Sequence, residues 1–413
     1  MDVTEFGLLL IRKVAGEIMR KKRVLLFSEG FGTGHTGAAY ALAEGIKRLN
    51  PEVQCRVIEL GKFLNPTVAP WILSAYRKTV SSQPKLVGML YKTQYDRSLN
   101  RFTKLALHRV FYNHARQVIE QLKPDLIICT HPLPAAVVSR LKAQGLDVPL
   151  YTLITDYDAH GSWINDEVSR YLVSTSRVKA ILTGRGIPES KITVTGIPVH
   201  PKFWERTSRE SLRQELGLKN MPAVLVMGGG WGLMFGEQFI DALTAKLDKI
   251  QLIFCMGSNE KLVEKLRHDL RLHHPNVKIL GYTNEVNKLM DAADLLITKP
   301  GGMTCTEALA KGIPMLFYQA IPGQEEKNCQ YFVELGLAEV LDSEAVIDNW
   351  FQRLNREYAE LEEQRSRRLS PDRYQPRGCA AAVLEMLGKA DGLAGLRGAR
   401  TQAIPDEAVC VTP

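Results

Sequence analysis

Short apolar runs alternate along most of the chain with segments of helical period. Apolar runs bounded by turn residues read as buried strands. In the first half they are "VLLFS" (24–28), "QCRVIEL" (54–60), "DLIICT" (125–130), "LYTLIT" (150–155), "RYLVST" (170–175) and "KITVTG" (191–196). After the Pro-rich stretch "GIPVHPKFWERTS" (196–208) the pattern starts afresh, with "AVLVMGGG" (223–230), "QLIFCMG" (251–257), "VKILGY" (277–282), "DLLITKPGG" (294–302) and "PMLFYQ" (314–319). Strands separated by helices predict an α/β chain with parallel sheets. The restart predicts two doubly wound, Rossmann-like domains facing across a cleft, at 23–200 and 201–375. Residues 376–390 are expected to form a helix returning to the first domain. Residues 1–22 read as an amphipathic leader, with an interfacial membrane helix as the sharper alternative, and 391–413 as a disordered tail. Ligands of such domains sit at the carboxyl ends of the strands.

Composition narrows the function classes. A chain of 413 residues exceeds one ordinary core. Its seven cysteines are scattered without a C-x-x-C pair, against a disulfide framework or zinc ribbon and in keeping with a reducing cytosol. No apolar run reaches the ~18 residues of a membrane span. The net charge of +8 is concentrated between Arg77 and Arg116, where nine basic residues, among them Lys85, Lys92, Arg97 and Arg101, face one acidic residue, Asp96. Trp71, Tyr76, Tyr91 and Phe102 interleave with these charges. No helix-turn-helix, zinc-finger or RNA-recognition signature accompanies them, which disfavours nucleic acid. A solvated helical face and an anionic membrane surface both remain open.

The first strand runs into "SEGFGTGHTGAA" (28–39), which contains G-x-G-x-x-G. A dinucleotide site would use this turn, and Glu59 lies 22 residues beyond Gly37, about where a ribose-binding acid belongs. His35 in the middle of the turn argues for other chemistry, and no Lys-Ser/Thr pair follows to make a P-loop. In the second half, "TKPGGMTCTEALAKGIPML" places a Pro-Gly-Gly turn between strand and helix. Glycines admit a phosphate to the backbone, and a helix N-terminus offers free N–H groups. Gly301, Gly302, Met303 and Thr304 are therefore candidate donor-binding residues. Glu307 could accept both hydroxyls of a ribose, or merely complement the helix dipole. Gly228, Gly229 and Gly230 form a second glycine turn, and "IPGQEEKN" supplies Gln324, Glu325 and Asn328 for sugar hydroxyls.

"TDYDAHGSW" contains Asp156-x-Asp158, a superficial D-x-D metal motif, with His160 nearby. Two carboxylates and one histidine are too few to compel a metal. His131 in "CTHPLP" could line the cleft or simply cap a helix.

Taken together, "GFGTGHTGAA", "TDYDAHGSWIN", "TGIPVHPKF", "KPGGMTCTEA" and "PGQEEKN" resemble glycosyltransferase family 28 enzymes that make glycosyldiacylglycerols. These are the monogalactosyldiacylglycerol synthases and processive diacylglycerol glucosyltransferases, and the resemblance spans roughly residues 23–390. It implies a GT-B fold, a UDP-sugar in the carboxyl-terminal domain, anomeric inversion, no essential metal or other cofactor, and peripheral attachment to membranes. It further implies that Glu307 holds the ribose, that Gln324 and Glu325 hold the hexose, and that the turn ending in Gly34-His35 faces the acceptor. His35 is then the expected base, with Asp156 and His160 close enough to orient it. The expected partners are a UDP-hexose, glucose above others, diacylglycerol and anionic lipids at the cytoplasmic face of the cell membrane. Neither nucleic acid nor a protein partner is implied. In this context the basic, aromatic segment reads as the membrane-facing part of the acceptor domain. A transferase using UDP-N-acetylglucosamine, a UDP-sugar 2-epimerase and a non-catalytic regulator are the alternatives.

Overall fold

The computed structural model describes residues 21–82, 112–228, 237–318, 320, 323–369 and 374–389. The first sheet contains β1 (Arg23–Ser28), β2 (Gln54–Glu59), β3 (Leu126–Cys129), β4 (Leu150–Leu153), β5 (Arg170–Val173) and β6 (Ile192–Val194). All are parallel, in the order β2-β1-β3-β4-β5-β6. The second sheet contains β7 (Ala223–Met227), β8 (Gln251–Cys255), β9 (Val277–Leu280), β10 (Leu295–Thr298), β11 (Met315–Phe317) and β12 (Ala338–Val340). It too is parallel, ordered β12-β11-β10-β7-β8-β9. Helices cover both faces, so the central strands are apolar throughout: all five residues of β7 and all four of β10 are buried.

In each sheet the chain order reverses beside the first strand, between β1 and β3 and again between β7 and β10. These are the crevices where doubly wound domains bind ligands. The turns singled out for their glycines follow β1, β7 and β10. Eleven strands match the sequence pattern. The twelfth, β12, was not expected, because its three residues are mostly exposed at the sheet edge and make no apolar run. Several strands end earlier than the pattern suggested. Ile154 and Thr155 leave β4, and Lys299 to Gly302 leave β10, to build the loops of the cleft.

The segment joining the domains is not loose. Ile197, Val199 and Phe203 are buried in the second domain's core. Gly196 lies at φ +72°, and a Cβ there would press on the Tyr374 ring. The Tyr374 hydroxyl donates to the Ile197 carbonyl at 2.6 Å. The final helix, Gly378–Lys389, packs against Thr33–Leu49. Cys379, Ala380, Val383 and Leu387 share a core there with Val24, Leu26, Ala38 and Leu42. The chain thus crosses between domains twice, and both crossings are packed.

Candidate active site

β1 ends at Ser28, and the chain turns through Glu29–Gly32 into the helix Thr33–Leu49. No side chain caps its first turn. His35 sits in that turn. Its Nδ1 lies 3.0 Å from the carbonyl oxygen of Thr130, just beyond β3, and 2.8 Å from the hydroxyl of Thr155, just beyond β4. A carbonyl can only accept, so Nδ1 carries the proton and Nε2 keeps its lone pair. Burial lowers the His35 pKa, while the Asp156 carboxylate opposes that shift.

Two further imidazoles stand nearby. The His131 ring meets His35 edge-on at 4.8 Å between centroids. Its Nδ1 accepts the Leu133 N–H at 3.2 Å, so it does cap the helix Pro132–Ala143. Burial, then the neighbouring His35 and His160, hold His131 well below its ordinary pKa. Burial, with His35 and Arg185, pushes His160 down to about 4. Both stay neutral near pH 7. His35 has a carboxylate supporting its charged form.

That carboxylate belongs to Asp156, which is buried between the domains. Its Oδ1 accepts from Asn328 Nδ2 at 3.1 Å, and its Oδ2 accepts from Gln324 Nε2. Burial raises its pKa, whereas His35, Asn328 and Gln324 favour the ionised form. Next to it, Tyr157 leaves the first domain altogether and enters the second domain's core. Its ring stacks on Tyr331 at 4.9 Å and meets Phe332 edge-on at 4.6 Å. Its N–H donates to Asn328 Oδ1 at 2.9 Å. A Cβ on Gly302 would overlap the Thr155 carbonyl oxygen, so only glycine permits this approach. A Cβ on Gly34 would stand 3.6 Å from Met303 Cγ. The N-termini of the helices Thr33–Leu49 and Gly302–Lys311 thus converge on one cleft, neither closed by a side-chain cap. Such paired N-termini suit an anion.

On the second domain's side, Glu307 is the sixth residue of Gly302–Lys311, and no acidic residue occupies that helix's first turn. The dipole effect fades beyond the first turn, so complementing the dipole does not account for Glu307. Burial pushes its pKa up to about 8, and no hydrogen bond or ion pair among the described residues offsets that cost. A ribose diol would supply two donors. Lys299 is half-buried between β10 and the Pro-Gly-Gly turn, its pKa lowered by burial and raised by Glu325.

Comparison with known proteins agrees with this geometry. Residues 35–199 match the monogalactosyldiacylglycerol (MGDG) synthase family, and residues 223–373 match the glycosyltransferase family 28 C-terminal domain. A processive diacylglycerol β-glucosyltransferase of Staphylococcus epidermidis is 32% identical over 329 residues, covering 79% of this chain and 83% of that protein. The chain belongs to the glycosyldiacylglycerol synthase family. A Bacillus subtilis protein of the same description is 30% identical over 78% of this chain and 84% of its own length. Among solved structures, Anabaena HepE in complex with UDP-glucose has a TM-score of 0.55 at 15% identity, covering 90% of this chain and 99% of its own. That likeness concerns the GT-B fold.

Within this family frame, the structure gathers His35, His131, His160 and Asp156 on one wall and Gly302, Met303, Gln324 and Asn328 against them. Two placements differ from the sequence reading. Asn328 is fully buried, its amide spent on Asp156, the Pro300 carbonyl and the Tyr157 N–H, so it holds the domains together instead of facing a sugar. Gln324 is likewise engaged by Asp156. Glu59, the acid of the dinucleotide reading, accepts the Thr36 hydroxyl at 3.0 Å and is tied into the glycine turn's own helix. Gly228 closes β7, its N–H bonded to the Cys255 carbonyl. Gly229, Gly230, Lys85, Tyr91, Lys92, Arg97 and Arg101 lie outside the described residues. Trp71 is 80% exposed on the helix Ala69–Ser82. Thr130, Thr155 and Tyr157 were missed. Threonines carry no motif signal, and the tyrosine inside D-x-D was hidden by the carboxylates on either side.

Proposed function

We infer that this protein is an inverting glycosyltransferase that moves a hexose from a UDP-hexose to diacylglycerol, giving a β-glycosyldiacylglycerol. The observation that carries this reading is His35, a half-buried imidazole whose Nε2 has no hydrogen-bond partner among the described residues, set across the cleft from the uncapped N-terminus of Gly302–Lys311 and the carboxyl of Glu307, likewise unpaired among them.

The primary hydroxyl of diacylglycerol attacks the anomeric carbon from the face opposite UDP, through an oxocarbenium-like transition state. His35 Nε2 takes the hydroxyl proton as the bond to carbon forms. The C–O bond to the diphosphate breaks, and its electron pair leaves with UDP. Free N–H groups at the Gly302 helix stabilise that charge. Glu307 accepts the ribose hydroxyls, and Glu325 takes the hexose role that the family resemblance gives it. Asp156 stabilises the imidazolium. The reaction needs no metal in this account, because its two charges, on imidazole and diphosphate, each have a protein partner. Glucose is the favoured sugar, following the β-glucosyltransferase relatives.

No helix among the described residues is long and apolar enough to cross a membrane. Phe63, Val68 and Trp71 are exposed close together in sequence, just before the basic run. Apolar groups beside cations suit an anionic bilayer surface, which supports peripheral attachment at the cytoplasmic face of the cell membrane. UDP release measured with and without diacylglycerol in vesicles tests the reading: release must depend on the lipid acceptor.

A further inference from the structure

We propose that Thr155 is the positioning residue for His35, its hydroxyl linking the imidazole to the Asp156 carboxylate and so to the donor-side loop. This rests on His35 being the base of the transferase reaction.

The Thr155 side chain is buried, so its hydroxyl proton must find a protein acceptor. Two acceptors lie in reach: His35 Nδ1 at 2.8 Å and Asp156 Oδ2 at 3.5 Å. Nδ1 already carries a proton, because it faces the Thr130 carbonyl at 3.0 Å. The Nδ1–H is therefore shared between the Thr130 carbonyl and the Thr155 oxygen, and the Thr155 proton turns towards Asp156. The second contact is the longer of the two, and rotation of the hydroxyl is all that aims its proton at the carboxylate. Every bond then runs one way, from imidazole to hydroxyl to carboxylate.

Thr155 also has a fixed backbone. Its carbonyl oxygen is seated against Gly302 at the head of the donor helix, and the next residue's carboxylate is held by Gln324 and Asn328 of the second domain. The hydroxyl orienting the base is thus anchored by the domain that binds UDP. Seating of the second domain sets the angle of the His35 ring in the first, while the Thr130 carbonyl holds its tautomer. A base aligned only when the domains are docked is kept from activating a hydroxyl, or water, in an open cleft.

Thr155→Val keeps the β-branched shape and removes the hydroxyl, and Thr155→Ser restores it. With wild-type protein active, Val should lower kcat by about 10–100-fold, by analogy with the loss when a partner orienting a metal-bound imidazole is removed. The KM for UDP-glucose should stay unchanged, the acid limb of the rate profile should move to lower pH, and Ser should recover both. A second readout needs no acceptor: ¹⁵N NMR of the His35 ring, assigned with His35→Asn, should show the Nδ1–H form held by the Thr130 carbonyl in all three proteins, with the Nδ1 resonance of Val displaced from that of wild type and Ser. Val matching wild type in kcat, pH limb and Nδ1 resonance, or Ser as impaired as Val, would overturn the proposal. Wild-type protein that transfers nothing to diacylglycerol would instead sink the reaction assigned above, and the NMR result would still decide the role of Thr155.

Discussion

The hydroxyl of Tyr157, from the loop after β4 in the first domain, lies 2.8 Å from Thr306 Oγ1 in the second. Thr306 spends its own proton on the Gly302 carbonyl at 2.7 Å, so Tyr157 is the donor across the domain boundary. Around this bond the two halves are joined by the amides holding Asp156 and by the aromatic stack on Tyr157. Tyr157→Phe should cost about 0.5–1.5 kcal/mol, the net worth of a hydrogen bond, with the ring stack intact. Tyr157→Ala should cost about 3–5 kcal/mol, as for other buried aromatic truncations. Denaturant unfolding of both variants checks the order and the spacing.

Glu307 should show opposite effects on stability and on ligand affinity. Its folded pKa of about 8 lies above the ordinary value of 4.5. The folded protein therefore holds a proton that the unfolded chain has lost, and stability falls as pH rises through that window. Glu307→Gln should stabilise the ligand-free protein at pH 8 and flatten this dependence. It should also weaken UDP binding by about 1.5–3 kcal/mol, as for a hydrogen bond to a charged group. Thermal melts at pH 5 and pH 8 and calorimetry with UDP measure the two effects. Unchanged UDP affinity would leave Glu307 without a role in the donor site.

His35→Ala should reduce transfer by about 10²–10⁴-fold, the usual contribution of a general base. UDP affinity should be nearly unaltered, because His35 belongs to the first domain and the proposed donor site to the second. Turnover close to wild type would remove His35 from the mechanism.

The architecture was legible because its strands are buried on both faces. β7 and β10 are unbroken apolar runs, and the glycine turns after β1 and β10 mark the reversals of strand order. β12 escaped because an edge strand of three residues needs no apolar run. The site was half legible. His35 announces itself as a polar group in a glycine-flanked turn, and Glu307 as an acid one turn into the helix that follows Pro-Gly-Gly. The roles of Asn328 and Gln324 did not, since a polar residue in a loop reads the same whether it will meet a sugar or a carboxylate from another domain. That choice is made by contacts between residues about 170 positions apart, which no local pattern encodes.

If the basic run docks the enzyme on anionic bilayers, replacing Lys85, Lys92, Arg97 and Arg101 by Gln should release it from such vesicles. Each cation near a charged surface contributes about 1 kcal/mol, and salt screens it within roughly 10 Å at 0.1 M. Wild-type sedimentation should rise with anionic lipid and fall with salt, while UDP binding is the same in both proteins. A quadruple variant that still sediments fully would make the run a solvated face.

The central claim concerns the bond that is made. Purified enzyme given UDP-α-glucose labelled with ¹³C at the anomeric carbon, and vesicles containing diacylglycerol, should yield labelled glucosyldiacylglycerol. Its one-bond and vicinal couplings should identify the β anomer, and the yield should be unchanged by EDTA. Label recovered only as free glucose, or as an α-linked lipid, would contradict direct displacement by the lipid hydroxyl with His35 as its base.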